Sequence, residues 1–288
     1  MHPYSYSIEQ ITALAGGELI ERLPDEQTIS DILIDSRRLI NPEHCIFIAL
    51  VSKKNDGHNY IEEVYNKGIR NFIISDKDHV LPGTNCIYVN NTLEALQKTT
   101  AAHRAGFDIP VIGITGSNGK TIIKEWLFQL FSHDYTITRS PKSYNSQIGV
   151  PLSVWQLKTE SEMAIFEAGI SEPDEMSKLQ SIIQPTVGIF TNIGPAHSEN
   201  FIHMQQKVGE KLKLFTKVNT LIYNPDYSEI QETIIRSGIL ENIDVFTWSR
   251  KQDANLKITG IDRDKKGKTE ITGQYNNREL TIEIPFTD

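Results

Sequence analysis

The sequence predicts an α/β protein of two units. The first is a small N-terminal α/β unit. The second is a mostly parallel sheet with flanking helices, opening on a glycine-rich loop and closing in an antiparallel meander. Three observations predict this. An apolar run at 110–114 enters Gly113-Ile114-Thr115-Gly116-Ser117-Asn118-Gly119-Lys120-Thr121, and an amphipathic segment at 122–131 leaves it. That is the strand, glycine loop, Lys-Thr and helix order of a phosphate-binding loop. Apolar runs then alternate with helical patterns, placing strands at 111–115, 136–138, 163–167, 187–191, 220–223 and 244–247. Finally, 256–261, 269–273 and 280–284 alternate with period two around turns at 262–268 and Asn276-Asn277.

A chain of 288 residues is long enough for about two domains. The polar stretch 103–108 carries Gly106 and sets the boundary, giving expected domains at 1–106 and 107–288. In the first, Ser7-Ile8-Glu9-Gln10 is a capping box that starts a short helix ended by Gly16-Gly17. Asp35-Ser36-Arg37 follows, then an apolar strand at 45–50 and a polar loop at 52–59 containing Asp56-Gly57-His58. A helix through Val64, strands at 72–75 and 87–89, and a helix from Leu93 to about Ala105 complete the unit.

The totals exclude several classes. Twenty-nine basic against 37 acidic residues give a net charge of −8, which argues against nucleic acid as a partner. No apolar run reaches the roughly 18 residues of a membrane helix, and the first residues lack a secretory signal pattern. Cys45 and Cys86 have no metal-ligand spacing and are expected to be buried free thiols in a reducing cytoplasm. The basic cluster Lys265-Lys266-Gly267-Lys268 is expected to be a solvated hairpin turn. Nothing in the pattern specifies an oligomeric state.

In the loop, Gly116 and Gly119 let backbone N–H groups curl around an anion. Lys120 supplies a charge for the outer phosphates, and the Thr121 hydroxyl can reach a bound Mg²⁺. Gly113 is irregular, because the standard spacing places its first glycine at 114, where this chain has isoleucine. Ligands of parallel sheets sit at the carboxyl ends of the strands. Thr115 to Thr121, Glu167-Ala168-Gly169 and Thr191-Asn192-Ile193-Gly194 with His197 are therefore expected in one crevice. From position alone, Glu167 is equally a Mg²⁺ ligand or a solvated capping acid. His197 is a metal ligand, a proton carrier or a hydrogen-bonded loop residue. Lys211, on a helix with apolar face Val208, Leu212 and Phe215, has a surface lysine as its default reading, and Asn145 is a turn residue or a phosphate contact.

Together these segments, with 145–151 and Glu210-Lys211-Leu212-Lys213-Leu214-Phe215, occur in the order seen in the Mur ligases, and the chain resembles that family. Asp35-Ser36-Arg37, Phe47-Ile48-Ala49-Leu50 and Asp56-Gly57-His58 are similar to the UDP-sugar domain of its D-alanyl-D-alanine-adding member. The resemblance implies an ATP-dependent, cytoplasmic, amide-forming ligase of peptidoglycan precursor synthesis, acting on a UDP-N-acetylmuramoyl-tripeptide and D-alanyl-D-alanine. It implies ATP contacts from Thr115, Gly116, Ser117, Asn118, Gly119, Lys120, Thr121, Asn145 and Asn192. Magnesium falls to Thr121, Glu167, His197 and a carbamylated Lys211. Catalytic roles fall to Lys120, His197 and Lys211, and UDP-sugar contacts to Ser36, Arg37, Asp56, Gly57 and His58.

Ser143 and Ser146 replace asparagines common in the family. The family also carries a third, C-terminal domain, and some relatives a fused alanine racemase. The sequence stops before that third domain, so it is expected to be part of a longer protein that turns over ATP poorly alone. The alternatives are a sister ligase adding the third-position amino acid, a folylpolyglutamate synthetase, a phosphate-loop kinase, or a non-catalytic nucleotide-binding module.

Overall fold

A computed structural model describes residues 5–38, 41–53, 55–194, 201, 203–263 and 268–285. In chain order the elements are β1 (Tyr6–Ser7), α1 (Ile8–Ala15), β2 (Glu18–Glu21), β3 (Thr28–Ile29), β4 (Asp31–Leu33), β5 (Cys45–Ile48), α2 (Ile61–Asn66), β6 (Asn71–Ile74), β7 (Asn85–Tyr88) and α3 (Thr92–Ala105). Then come β8 (Val111–Thr115), α4 (Lys120–Phe131), β9 (Ile137–Arg139), α5 (Gly149–Val154), β10 (Met163–Glu167), α6 (Glu175–Ile183), β11 (Val187–Phe190) and α7 (Met204–Leu212). The chain ends with β12 (Thr220–Tyr223), α8 (Ser228–Ser237), β13 (Asp244–Ser249), β14 (Leu256–Arg263), β15 (Thr269–Tyr275) and β16 (Arg278–Ile284).

These elements fall into two compact units that interleave in sequence. One holds Met1–Ile109, Tyr135–Ala164 and Ser181–Ile183, the other Pro110–Asp134, Ile165–Gln180 and Gln184–Asp288. In the first, a five-stranded sheet runs β2-β7-β6-β5-β4, parallel except for the β2–β7 pair. The runs Cys45-Ile46-Phe47-Ile48 and Asn71-Phe72-Ile73-Ile74 are buried throughout, as strands covered on both faces must be. Their side chains alternate between two cores. Ile46, Ile48 and Ile73 pack with Ile8 and Ile11 of α1 and Leu96 of α3, while Cys45, Phe47 and Phe72 pack with Ile61 and Val64 of α2. Both cysteines are buried free thiols, and burial raises them to about 11 for Cys45 and about 12 for Cys86. The capping box forms at α1, with Gln10 N–H donating to Ser7 Oγ and Ser7 N–H to Gln10 Oε1, and Gly16 ends the helix in the left-handed region.

In the second unit the sheet runs β16-β15-β14-β13-β12-β11-β8-β10. The strands β8, β11, β12 and β13 pair in parallel, and β14, β15 and β16 form an antiparallel meander. Gly113 has its explanation here. A Cβ on it would lie 2.8 Å from Pro185 Cβ, so the residue before the loop is a packing glycine inside β8 and not a phosphate-cradling one. The strand expected at 136–138 lies one residue later, and the helix after the loop starts at Lys120 rather than Ile122. The turn expected at Lys265-Lys266-Gly267-Lys268 lies, but for Lys268, outside the described residues.

Candidate nucleotide and metal site

The site is built at the carboxyl ends of β8, β10 and β11. After β8 the chain turns at Gly116, whose φ of 147° is open to glycine, and where a Cβ would stand 1.9 Å from Thr191 Oγ1. The loop is stitched to the segment after β11. Ser117 N–H donates to Asn192 O (2.9 Å), Asn118 N–H to Asn192 Oδ1 (2.9 Å), Thr191 Oγ1–H to Asn118 O (2.6 Å), and Gly194 N–H to Ser117 Oγ (2.9 Å). Asn192 thus shapes the loop with both its side chain and its backbone.

Gly119 is the N-cap of α4 and offers no side-chain acceptor. The N–H groups of the helix's first turn are left to a ligand, and the helix dipole favours an anion there.

Cations crowd the same place. Lys120 Nζ donates to Gly116 O at 2.8 Å, and Lys211 Nζ reaches the same carbonyl at 3.4 Å. Lys207, one turn before Lys211 on α7, donates to Gly194 O at 2.6 Å. Lys207 is 2% exposed and Lys211 3% exposed, so the surface reading of Lys211 gives way to a buried one. Val208, Leu212 and Phe215 are buried with it.

Burial, then the charges of Lys120 and Lys207, pull Lys211 down to about 7. Burial also lowers Lys120, against a raising influence from Glu167. Helix α7 is anchored by Glu210, which accepts from Met176 N–H in the first turn of α6 (3.1 Å) and pairs with Lys213 (2.6 Å).

Glu167 ends β10 and is fully buried. Its Oε2 accepts the Thr121 hydroxyl at 3.0 Å. Lys124 Nζ, also fully buried, lies 3.0 Å from Oε1, as an ion pair rather than an aligned hydrogen bond. Thr121 and Glu167 present hard oxygens side by side, the donor type Mg²⁺ takes when phosphate and water complete its shell. Among the described residues no group of three or more His, Cys, Asp or Glu forms a ready-made cage. The pair therefore fits a cation held jointly with phosphates. His197 lies outside the described residues.

Sequence reasoning did not single out Lys124 or Lys207. A lone lysine defaults to the surface, and the only signal was spacing: Lys124 follows Thr121 by three residues and Lys211 follows Lys207 by four, each pair on one helical face.

In the first unit, Ser36, Arg37 and Gly57 line a cavity of about 490 Å³ with Ile34, Tyr60 and Leu93. Arg37 makes a two-point contact with Asp35, Nε to Oδ1 and Nη2 to Oδ2, both 2.8 Å, which holds the Asp35 carboxyl at about 2. Asp56 and His58 are not among the lining residues. His58 is buried. Its Nε2 accepts from Ser75 N–H (3.0 Å), so Nδ1 carries the proton and donates to Asp56 Oδ1 (2.6 Å). Gly57 is required because a Cβ would meet Leu50 N at 2.6 Å. Gly57 and His58 thus brace the cavity wall. Asn145 also belongs to this unit, just ahead of α5.

The fold and the loop define a phosphate-loop α/β protein. The Mur ligase middle domain model matches residues 114–287, and the chain belongs to the Mur ligase family. Among curated proteins it is 33% identical over 250 residues to the UDP-N-acetylmuramoyl-tripeptide–D-alanyl-D-alanine ligase of Rickettsia prowazekii, covering 84% of this chain and 54% of that protein. It is 28% identical over 230 residues to the enzyme of that name from Bacillus subtilis, covering 78% of this chain and 50% of that protein. The chain spans about half the length of these relatives. Among solved structures, MurF from Acinetobacter baumannii has the same fold, with a TM-score of 0.87 at 22% identity, covering 99% of this chain and 62% of that one.

Proposed function

We propose that the chain is the substrate- and ATP-binding part of a ligase that joins D-alanyl-D-alanine to a UDP-N-acetylmuramoyl-tripeptide. The observation that carries the reading is a phosphate loop met by half-buried Lys120 and buried Lys207 and Lys211 in a chain whose curated relatives bear that ligase's name. We assign the UDP-sugar to the first unit, at the cavity with Ser36 and Arg37, and ATP to the second, at 115–121.

In the reaction proposed, a carboxylate oxygen of the tripeptide attacks the γ-phosphorus of ATP, and the bond to the β-phosphate oxygen breaks to give ADP and an acyl phosphate. The dipeptide amine then attacks the acyl carbon, loses a proton, and inorganic phosphate leaves. The first-turn N–H groups of α4 and Lys120 hold the phosphates and offset charge on the group in transfer. Ser117, Asn118, Thr191 and Asn192 fix the loop, so positioning precedes chemistry. A magnesium ion held by Thr121, Glu167 and the phosphates would supply further charge stabilisation. Lys211 near neutrality has a large free-amine fraction, and its nitrogen can add to CO₂, losing a proton to become a carbamate, a new oxygen ligand.

The test is phosphate release by the full-length gene product. UDP-muramoyl-tripeptide with D-alanyl-D-alanine should give rapid release, while meso-diaminopimelate or lysine with the dipeptide precursor should not. The reverse preference makes the protein a sister ligase. Lys211→Ala should abolish release and short carboxylates should restore part of it; unchanged activity removes the carbamate. The 288-residue chain alone should turn over little ATP.

A further inference from the structure

One turn of α4 sends two side chains to one carboxylate. Thr121 donates its hydroxyl to Oε2 of Glu167, and Lys124 places its ammonium 3.0 Å from Oε1. Lys124 and Glu167 are both fully buried. The second neighbour of Lys124, Glu125 Oε1 at 3.2 Å, belongs to a side chain that is 37% exposed and screened by water. A buried carboxylate needs a counter-charge or a full set of donors, and here the protein supplies one from within.

A divalent cation approaching Thr121 and Glu167 therefore meets a carboxylate already offset by a lysine, with Lys120 at the loop and Lys207 on α7 adding repulsion. No cluster of three or more His, Cys, Asp or Glu side chains stands among the described residues to outweigh them.

We propose that Lys124 is a positioning residue, the internal counter-ion of Glu167, and that it makes the site take its divalent cation only together with the phosphates of a nucleotide. This rests on the nucleotide reading of the loop. The phosphates bring the negative charge that the protein withholds, so metal and nucleotide arrive as one complex. Lys124 also holds the carboxylate with Oε2 beside Thr121, so the two oxygens are aligned before the complex arrives.

The test uses Mn²⁺ as the probe, followed by the paramagnetic resonance of the free ion, on the 288-residue chain with and without ADP. Glu167→Gln serves as the reference that removes the site and leaves surface binding. Wild type should show Glu167-dependent Mn²⁺ binding with ADP and about tenfold weaker binding, or none, without it. Lys124→Met should gain Glu167-dependent binding of Mn²⁺ alone by about tenfold or more, and the gain should vanish when Glu167→Gln is added.

A Lys124→Met protein that folds, binds ADP and gains no metal affinity overturns the proposal. If that variant does not fold, wild type decides, since tight Glu167-dependent Mn²⁺ binding without ADP overturns it equally. Failure of wild type to bind ADP at all counts instead against the nucleotide reading.

Discussion

At the residue scale, the most informative side chain is Lys211. Its sequence context gave a surface lysine beside an apolar stripe, and helical period alone could not tell which side of that stripe it takes. The structure buries it against the Gly116 carbonyl, near Lys120 and Lys207. That placement has a cost to folding. The group sits at about 7 in the folded chain against 10.5 when free, so between these values the unfolded chain binds more protons and stability rises with pH. Below 7 both states are charged and the full penalty, a few kcal/mol, is present. Lys211→Met should therefore raise the chain's resistance to urea, most clearly at pH below 7 and least above 10.5. Loss of stability on this substitution would show that the ammonium is well compensated. A site that is destabilising in the resting chain is the usual mark of a ligand-binding device.

At the element scale, what could be read from sequence was whatever depends on neighbours in the chain. The Ser7–Gln10 box, the strand–loop–helix at 111–131 and the final meander are local patterns, and each is present. What could not be read depends on contacts far apart in sequence. Gly113 looked like an irregular loop glycine until Pro185 appeared against it. Asp56-Gly57-His58 looked like a ligand motif, yet His58 spends both ring nitrogens on Asp56 and Ser75. Glu210 stood beside Lys211 with no pattern to show that it reaches the first turn of α6. Its carboxylate accepts from Met176 N–H and pairs with Lys213, while being only 5% exposed. Glu210→Ala leaves that N–H without its acceptor and Lys213 with Asp174 alone, 3.0 Å away, and should cost about 1–3 kcal/mol in urea unfolding. Glu210→Gln, which keeps an acceptor for Met176, should cost less. Equal losses would place the effect in the ion pair alone.

At the scale of the whole molecule, two units interleave in sequence, and each holds buried apolar residues and its own candidate site. The first unit has a built-in acid sensitivity. His103 is 2% exposed, with Nε2–H donating to Leu157 O and Nδ1 accepting from Tyr6 OH. Burial lowers it from 6.5 to about 4. In that window the unfolded chain binds the extra proton, so its contribution is present above 6.5 and is lost as pH falls towards 4, about 3 kcal/mol in all. The stability of the first unit should fall over this range in the wild type and less so in a His103→Gln variant; identical profiles would assign the acid response to the carboxylates. The second unit carries the central claim, that the loop at 115–121 is a nucleotide phosphate site. Calorimetric titration of the 288-residue chain with magnesium and ADP tests it most directly. Saturable binding at one site, weakened at least about tenfold by Lys120→Ala with the fold intact, is the result predicted. Binding of equal strength in wild type and Lys120→Ala, or none in either, would contradict it.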